Sequence, residues 1–170
     1  GGSLFLARVF RDLRDSDLSY PITGDTLEEL FARINAQFTA PEKHRQFLRL
    51  LAVLGLYDRP VPLATLQKKV FDSEVVSRGV RAFPSLFSFW EHPNPSLGLS
   101  HRIVFEQVKE RSTEVESVAG ELAESFLENP RRGELLPALS WFAESDNTVS
   151  LVDRFFAESG SAGLWREELA

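Results

Sequence analysis

The chain has 170 residues, 43% of them apolar and 26% charged, the composition of a soluble globular protein with room for one sizeable domain or two small ones. It contains no cysteine, which excludes a disulfide framework and a cysteine-built metal site. The net charge of −6 is uneven, about +2 over residues 1–111 and −8 over residues 112–170. This break marks a subdomain boundary near residue 111 and argues against general nucleic-acid binding.

No apolar run approaches the roughly 18 residues that span a bilayer, and no signal-peptide pattern precedes the first helix. The expectation is a cytoplasmic protein with no membrane partner. Methionine is absent and the chain opens Gly-Gly-Ser, which reads as a segment of a longer protein, the two glycines being native or a cloning remnant.

From Ser3 to Arg14, the residues Leu4, Phe5, Ala7, Val9, Phe10 and Leu13 recur at helical spacing. Residues 15–24, with Pro21 and Gly24, read as a loop. Asp25-Thr26-Leu27-Glu28 is a capping-box pattern, and the helix it starts carries Leu27, Leu30, Phe31, Ile34 and Phe38 on one face. Thr39-Ala40-Pro41-Glu42 opens the most apolar helix, with Phe47, Leu48, Leu50, Leu51, Val53 and Leu54, which Gly55 is expected to end. Tyr57 to Pro62 reads as a turn. A short helix from Leu63 to Val70 follows, then one from Ser73 to Phe83 capped by Asp72 and stopped by Pro84.

Leu86-Phe87-Ser88-Phe89-Trp90 is an aromatic strand, the Pro/Asn-rich segment 91–96 a rigid turn, and Leu97-Gly98-Leu99 the returning partner. Three helices and a hairpin in this order are those of a winged helix, with Ser73–Phe83 as its third helix. At Leu99-Ser100-His101-Arg102 the pattern switches to helical spacing, with Ser100 as the expected N-cap and His101 in the first turn. Backbone N–H groups there lack partners and attract anions.

Beyond Arg111 the expected helices are Thr113–Leu127, Glu134–Glu144, Val149–Glu158 and Leu164–Leu169. Phe-Ala-Glu-Ser occurs at Phe142–Ser145 and again at Phe156–Ser159. The aromatic ends Ser125-Phe126, Trp141-Phe142 and Phe155-Phe156 recur in successive helices, as in the first units of a helical-hairpin array. The fold expected is mainly α: a helical lid (1–39), a winged helix with a small β-hairpin wing (40–111), and antiparallel helical hairpins (112–170) that start a repeat or sensor region.

Three segments, taken in order, resemble the STAND-class signal-transduction NTPases that include the NB-ARC proteins. Gly2-Ser3-Leu4-Phe5-Leu6-Ala7 resembles the start of that family's lid helix, with Ser3 where many members carry proline. Phe47–Leu54 followed by Arg59-Pro60-Val61-Pro62-Leu63 is similar to the opening of its winged-helix domain. Leu99-Ser100-His101-Arg102 stands where the family has methionine-histidine-aspartate, and only the histidine matches.

The resemblance implies that His101 contacts a nucleotide diphosphate and holds a closed, ADP-bound state. Arg102 and Gly2 are further candidate nucleotide contacts. It implies a P-loop NTPase domain upstream that binds ADP or ATP in the parent protein, helical repeats downstream, homo-oligomerisation on activation, and a signalling role such as defence.

No Gly-x-x-x-x-Gly-Lys-Ser/Thr loop and no paired-acid magnesium strand occur here, so the segment itself is not expected to be an enzyme or to hold nucleotide tightly. No catalytic residue is assigned. The three histidines, His44, His92 and His101, are too widely spaced for a metal site; His44 reads as a surface residue and His92 as part of an exposed turn. Lys68, Lys69, Arg78 and Arg81 form a candidate basic patch, but the helix carrying Val75, Val76 and Val80 has only two arginines. Two other readings remain open: a winged-helix DNA-binding transcriptional regulator with a helical effector region, and a helical protein-interaction scaffold.

Overall fold

A computed structural model describes residues 7–9, 11, 26–68, 72–91, 94–129 and 135–157. The chain divides into two compact units, Gly1–Arg111 and Ser112–Ala170, and the division falls where the charge changes sign. Residues 1–39 and 40–111 belong to one unit. Helices dominate both units, joined in the first by a small antiparallel sheet. No helix among the described residues is long and apolar enough to cross a membrane.

In the first unit Ala7, Arg8, Val9 and Arg11 are helical, and Val9 is buried. Helix α1 (Thr26–Gln37) buries Leu27, Leu30, Phe31 and Ile34, with Phe38 just beyond it, as their spacing predicts. The cap expected at Asp25 lies outside the described residues.

Helix α2 (Pro41–Tyr57) starts with proline at its first position, where the missing N–H costs nothing, and every residue from Phe47 to Tyr57 is buried except Arg49. It does not end at Gly55. The Phe105 ring lies so close that a Cβ on Gly55 would meet its Cδ2 at 2.1 Å, so the glycine serves packing inside the helix. The helix ends two residues later, where Asp58 takes a left-handed conformation with φ 48° ahead of Pro60.

The expected turn Tyr57–Pro62 is partly a strand. Val61–Pro62 forms β1 and pairs antiparallel with Ser96–Leu99, here β3, with Val61 opposite Leu97 and Pro62 opposite Ser96. Phe87–Trp90 forms β2 on the other side of β3, so the sheet order is β1-β3-β2. Proline suits β1 because an edge strand has one side free of ladder bonds.

Between the strands lie α3 (Leu63–Lys68) and α4 (Ser73–Ala82). Asp72 caps α4 as its position predicts, its carboxylate accepting from the Glu74 N–H at 2.8 Å. Leu86 is not in the strand but closes a 3-10 turn, Pro84–Leu86, because proline at Pro84 ends the helix without yet extending the chain.

The core of this unit is an aromatic cluster centred on Phe47. It stacks on Phe38 at 4.6 Å and meets Phe83 at 5.9 Å and Phe87 at 6.2 Å between ring centroids. Gly79 lets α4 approach α2 here, since a Cβ would come 2.2 Å from Phe47 Cε2. Helix α5 (Arg102–Arg111) packs against α2 and is tied to α1 by Arg111, 2.8 Å from Glu28 and 5.1 Å above the Phe31 ring.

The second unit holds α6 (Glu114–Glu128), α7 (Leu135–Glu144) and α8 (Thr148–Ala157). α6 lies one residue later than expected at both ends, α7 ends at Glu144 as expected, and α8 starts one residue early. Glu134, Glu158 and Leu164–Leu169 lie outside the described residues. Pro137 is tolerated in α7 because it sits in the first turn, where N–H groups have no helical acceptor.

Phe126 of α6 meets Trp141 and Phe142 of α7 edge-on, at 6.3 and 6.4 Å, so two of the recurring aromatic ends do pack together. The side chains of Phe155 and Phe156 lie outside the described set. At the first Phe-Ala-Glu-Ser, the Thr148 hydroxyl donates to the Phe142 and Ser145 carbonyls and holds the turn between α7 and α8. Arg154 reaches back to Glu124 at 2.7 Å.

Candidate functional site around His101

The strand-to-helix switch expected before residue 103 exists, but its chemistry differs from the sequence reading. Ser100 is not the N-cap of α5. Its N–H donates to the Leu86 carbonyl at 2.9 Å and its hydroxyl to the Ser85 carbonyl, which ties the end of β3 to the 3-10 turn. With that hydroxyl engaged, capping passes to the next residue.

His101 is the residue immediately before α5 rather than a member of its first turn, and its Nδ1 accepts from the Ile103 N–H at 3.2 Å. Its carbonyl accepts from the Val104 N–H at 3.2 Å. The half-buried imidazole therefore satisfies one of the helix's orphan donors itself, instead of leaving that donor to an anion. With Nδ1 accepting, a neutral ring carries its proton on Nε2.

Arg102 is exposed and turned toward carboxylates. Its Nε lies 3.1 Å from Glu106, its Nη1 3.8 Å from Asp58, and its guanidinium 5.0 Å above the Phe105 ring. Gly2, the third candidate contact, lies outside the described residues, as do His92 and Lys69.

His44 is half-buried on α2, its Nε2 has no hydrogen-bond partner among the described residues, and desolvation lowers its pKa below the ordinary histidine value. The described residues contain no group of three or more acidic, histidine or cysteine side chains placed to hold a metal.

Helix α4 buries Val75 and Gly79, half-buries Val76 and Val80, and exposes Ser73, Glu74, Ser77, Arg78 and Arg81. Arg78 lies 5.6 Å above the Phe38 ring, and Glu74 pairs with Lys43 of α2 at 2.6 Å. The exposed face is mixed in charge rather than a basic stripe.

What the sequence reading missed is a pocket of about 260 Å³ between the end of α2, the sheet and the start of α5. Arg102 lines it and His101 does not. Asp58, Arg59 and Trp90 join it there, although they come from segments read as a turn and as an aromatic strand. Phe87 is buried, whereas Phe89 is 54% and Trp90 42% exposed. Alternation turns Trp90 to the face opposite Phe87. No family model, curated protein or solved structure matches this chain.

Proposed function

We propose that this chain is the regulatory segment of a STAND-type nucleotide switch. It closes over a nucleotide held by an upstream P-loop domain and releases it to permit oligomerisation and signalling. The observation that carries the reading is His101, a half-buried imidazole placed between the central strand of a small sheet and the N-terminus of α5. The order α2-β1-α3-α4-β2-β3, with a three-stranded antiparallel sheet, supports a winged helix as the carrier of that histidine.

In this reading Nε2 donates to a phosphate oxygen of the diphosphate state, while Nδ1 stays on the helix end and fixes the ring's orientation. A contact made in one nucleotide state and lost in the other is what turns binding into a switch. Arg102 plays a lesser part, because Glu106 and Asp58 already share its charge.

Two substitutions in the full-length protein test this and separate sensing from capping. His101→Asn keeps a good N-cap side chain but lacks the reach of Nε2, whereas His101→Ala removes both. ADP release is expected to accelerate by about tenfold or more in both variants, the worth of a hydrogen bond to a charged group. Faster release in His101→Ala alone would reduce the histidine to a cap. Unchanged release in both would remove it from the nucleotide site.

A further inference from the structure

The pocket beside α5 has a composition that the nucleotide reading does not use. Its floor is apolar, with Leu54 and Phe105 each 1% exposed. One wall is the indole of Trp90. That ring lies across β3, where a Cβ on Gly98 would approach its Cζ3 to 3.2 Å and Pro60 Cα to 3.6 Å, so glycine keeps the wall close to the strand. Two guanidinium groups, Arg59 and Arg102, belong to the same lining.

The two arginines are not equivalent. Arg102 lies beside two carboxylates, 3.1 Å from Glu106 and 3.8 Å from Asp58. Arg59 is exposed and lies 5.9 Å from the Tyr57 ring centroid. No described residue forms an ion pair with it, unlike Arg102. Asp58, which pairs with Arg102 and precedes Arg59, is also the one non-glycine residue at positive φ among those described, where it ends α2.

We infer that this pocket binds a planar aromatic carboxylate, its ring against Trp90 and above Leu54 and Phe105, its carboxylate on Arg59 with Arg102 beside it. Guanidinium groups match carboxylates in shape as well as charge. A single cation that pairs with no described residue fits one negative charge better than the nearly two of a phosphate monoester. The volume of about 260 Å³ lies below the roughly 300 Å³ at which drug-sized pockets begin, so it suits one fused ring pair rather than a nucleotide.

The test uses the 170-residue chain labelled with 15N, titrated with 2-naphthoate and, separately, with its neutral isostere 2-naphthamide. Naphthoate is expected to shift one indole N–H resonance saturably, the resonance that Trp90→Leu removes. Naphthamide is expected to bind about tenfold more weakly, and Arg59→Gln to weaken naphthoate by a similar factor while leaving naphthamide unchanged. Because Arg59 is exposed, unchanged naphthamide binding also certifies that the variant is folded.

The proposal is overturned if naphthoate gives no saturable shift up to about millimolar concentration. Equal affinity for acid and amide overturns it too, as does indifference to Arg59→Gln. Inorganic phosphate displacing naphthoate more effectively than acetate does would overturn the carboxylate assignment. Failure here leaves the His101 reading standing, since that rests on ADP release from the longer protein.

Discussion

Replacing Gly55 by alanine tests the packing of α2 against α5 with one added carbon. A Cβ at this position would lie 2.1 Å from Phe105 Cδ2, 2.5 Å from Cγ and 2.8 Å from Cβ. These atoms include the stem of the ring, not only its far end, and Phe105 is 1% exposed, so the ring cannot swing into solvent. Overpacking of a close-packed core costs about 1–3 kcal/mol and occasionally more. Against it stands about 1 kcal/mol of helix propensity gained when alanine replaces glycine in a helix interior.

The clash here is more than an ångström inside ordinary contact, so the cost belongs at the upper end and the net loss is about 2 kcal/mol. The assay is urea unfolding followed by far-UV circular dichroism, with the midpoint expected to fall at constant slope. Combining Gly55→Ala with Phe105→Leu should recover part of the loss, a coupling of about 1–3 kcal/mol between the two positions. Stability equal to or above the parent in Gly55→Ala, or strict additivity in the double variant, would refute the packing argument.

The remaining predictions concern a cap and a titrating group. Asp72→Ala removes the carboxylate that accepts from Glu74 N–H at 2.8 Å and should cost about 1 kcal/mol in the urea midpoint, while Asp72→Asn should be nearly neutral. His44 has its native pKa lowered by desolvation, so below 6.5 the unfolded chain binds the proton more readily than the folded one. Its contribution is complete above that value and is lost as pH falls from 6.5 through the native pKa. Unfolding midpoints compared at about pH 7.5 and about pH 5.5 should differ less in His44→Gln than in the parent; an identical difference would show that the imidazole does not titrate in this window.

Much of the fold is legible in local patterns. The stripe Leu27, Leu30, Phe31, Ile34 and Phe38 repeats every three or four residues, so any helix formed there must bury one side, and it does. Asp72 ahead of Ser73 announces its helix because a short carboxylate reaches the second N–H of the turn without help from elsewhere. The change of charge sign near residue 111 coincides with the division between the two units.

Other features depend on residues distant in sequence. Val61–Pro62 is too short and too proline-rich to read as a strand; it becomes β1 only because Leu97 and Ser96 come alongside. Gly55 looks like a helix end until Phe105, fifty residues later, is laid against it. Ser100 would cap α5 on local rules, but the Ser85 carbonyl takes its hydroxyl and leaves the task to His101. Among the described residues, chain order alone reveals most helices and the faces they bury, because periodicity and capping act within a few residues. Tertiary structure alone decided the third strand, the role of His101 and the pocket of Arg59, Trp90 and Arg102, because each needs a partner that chain order does not place nearby.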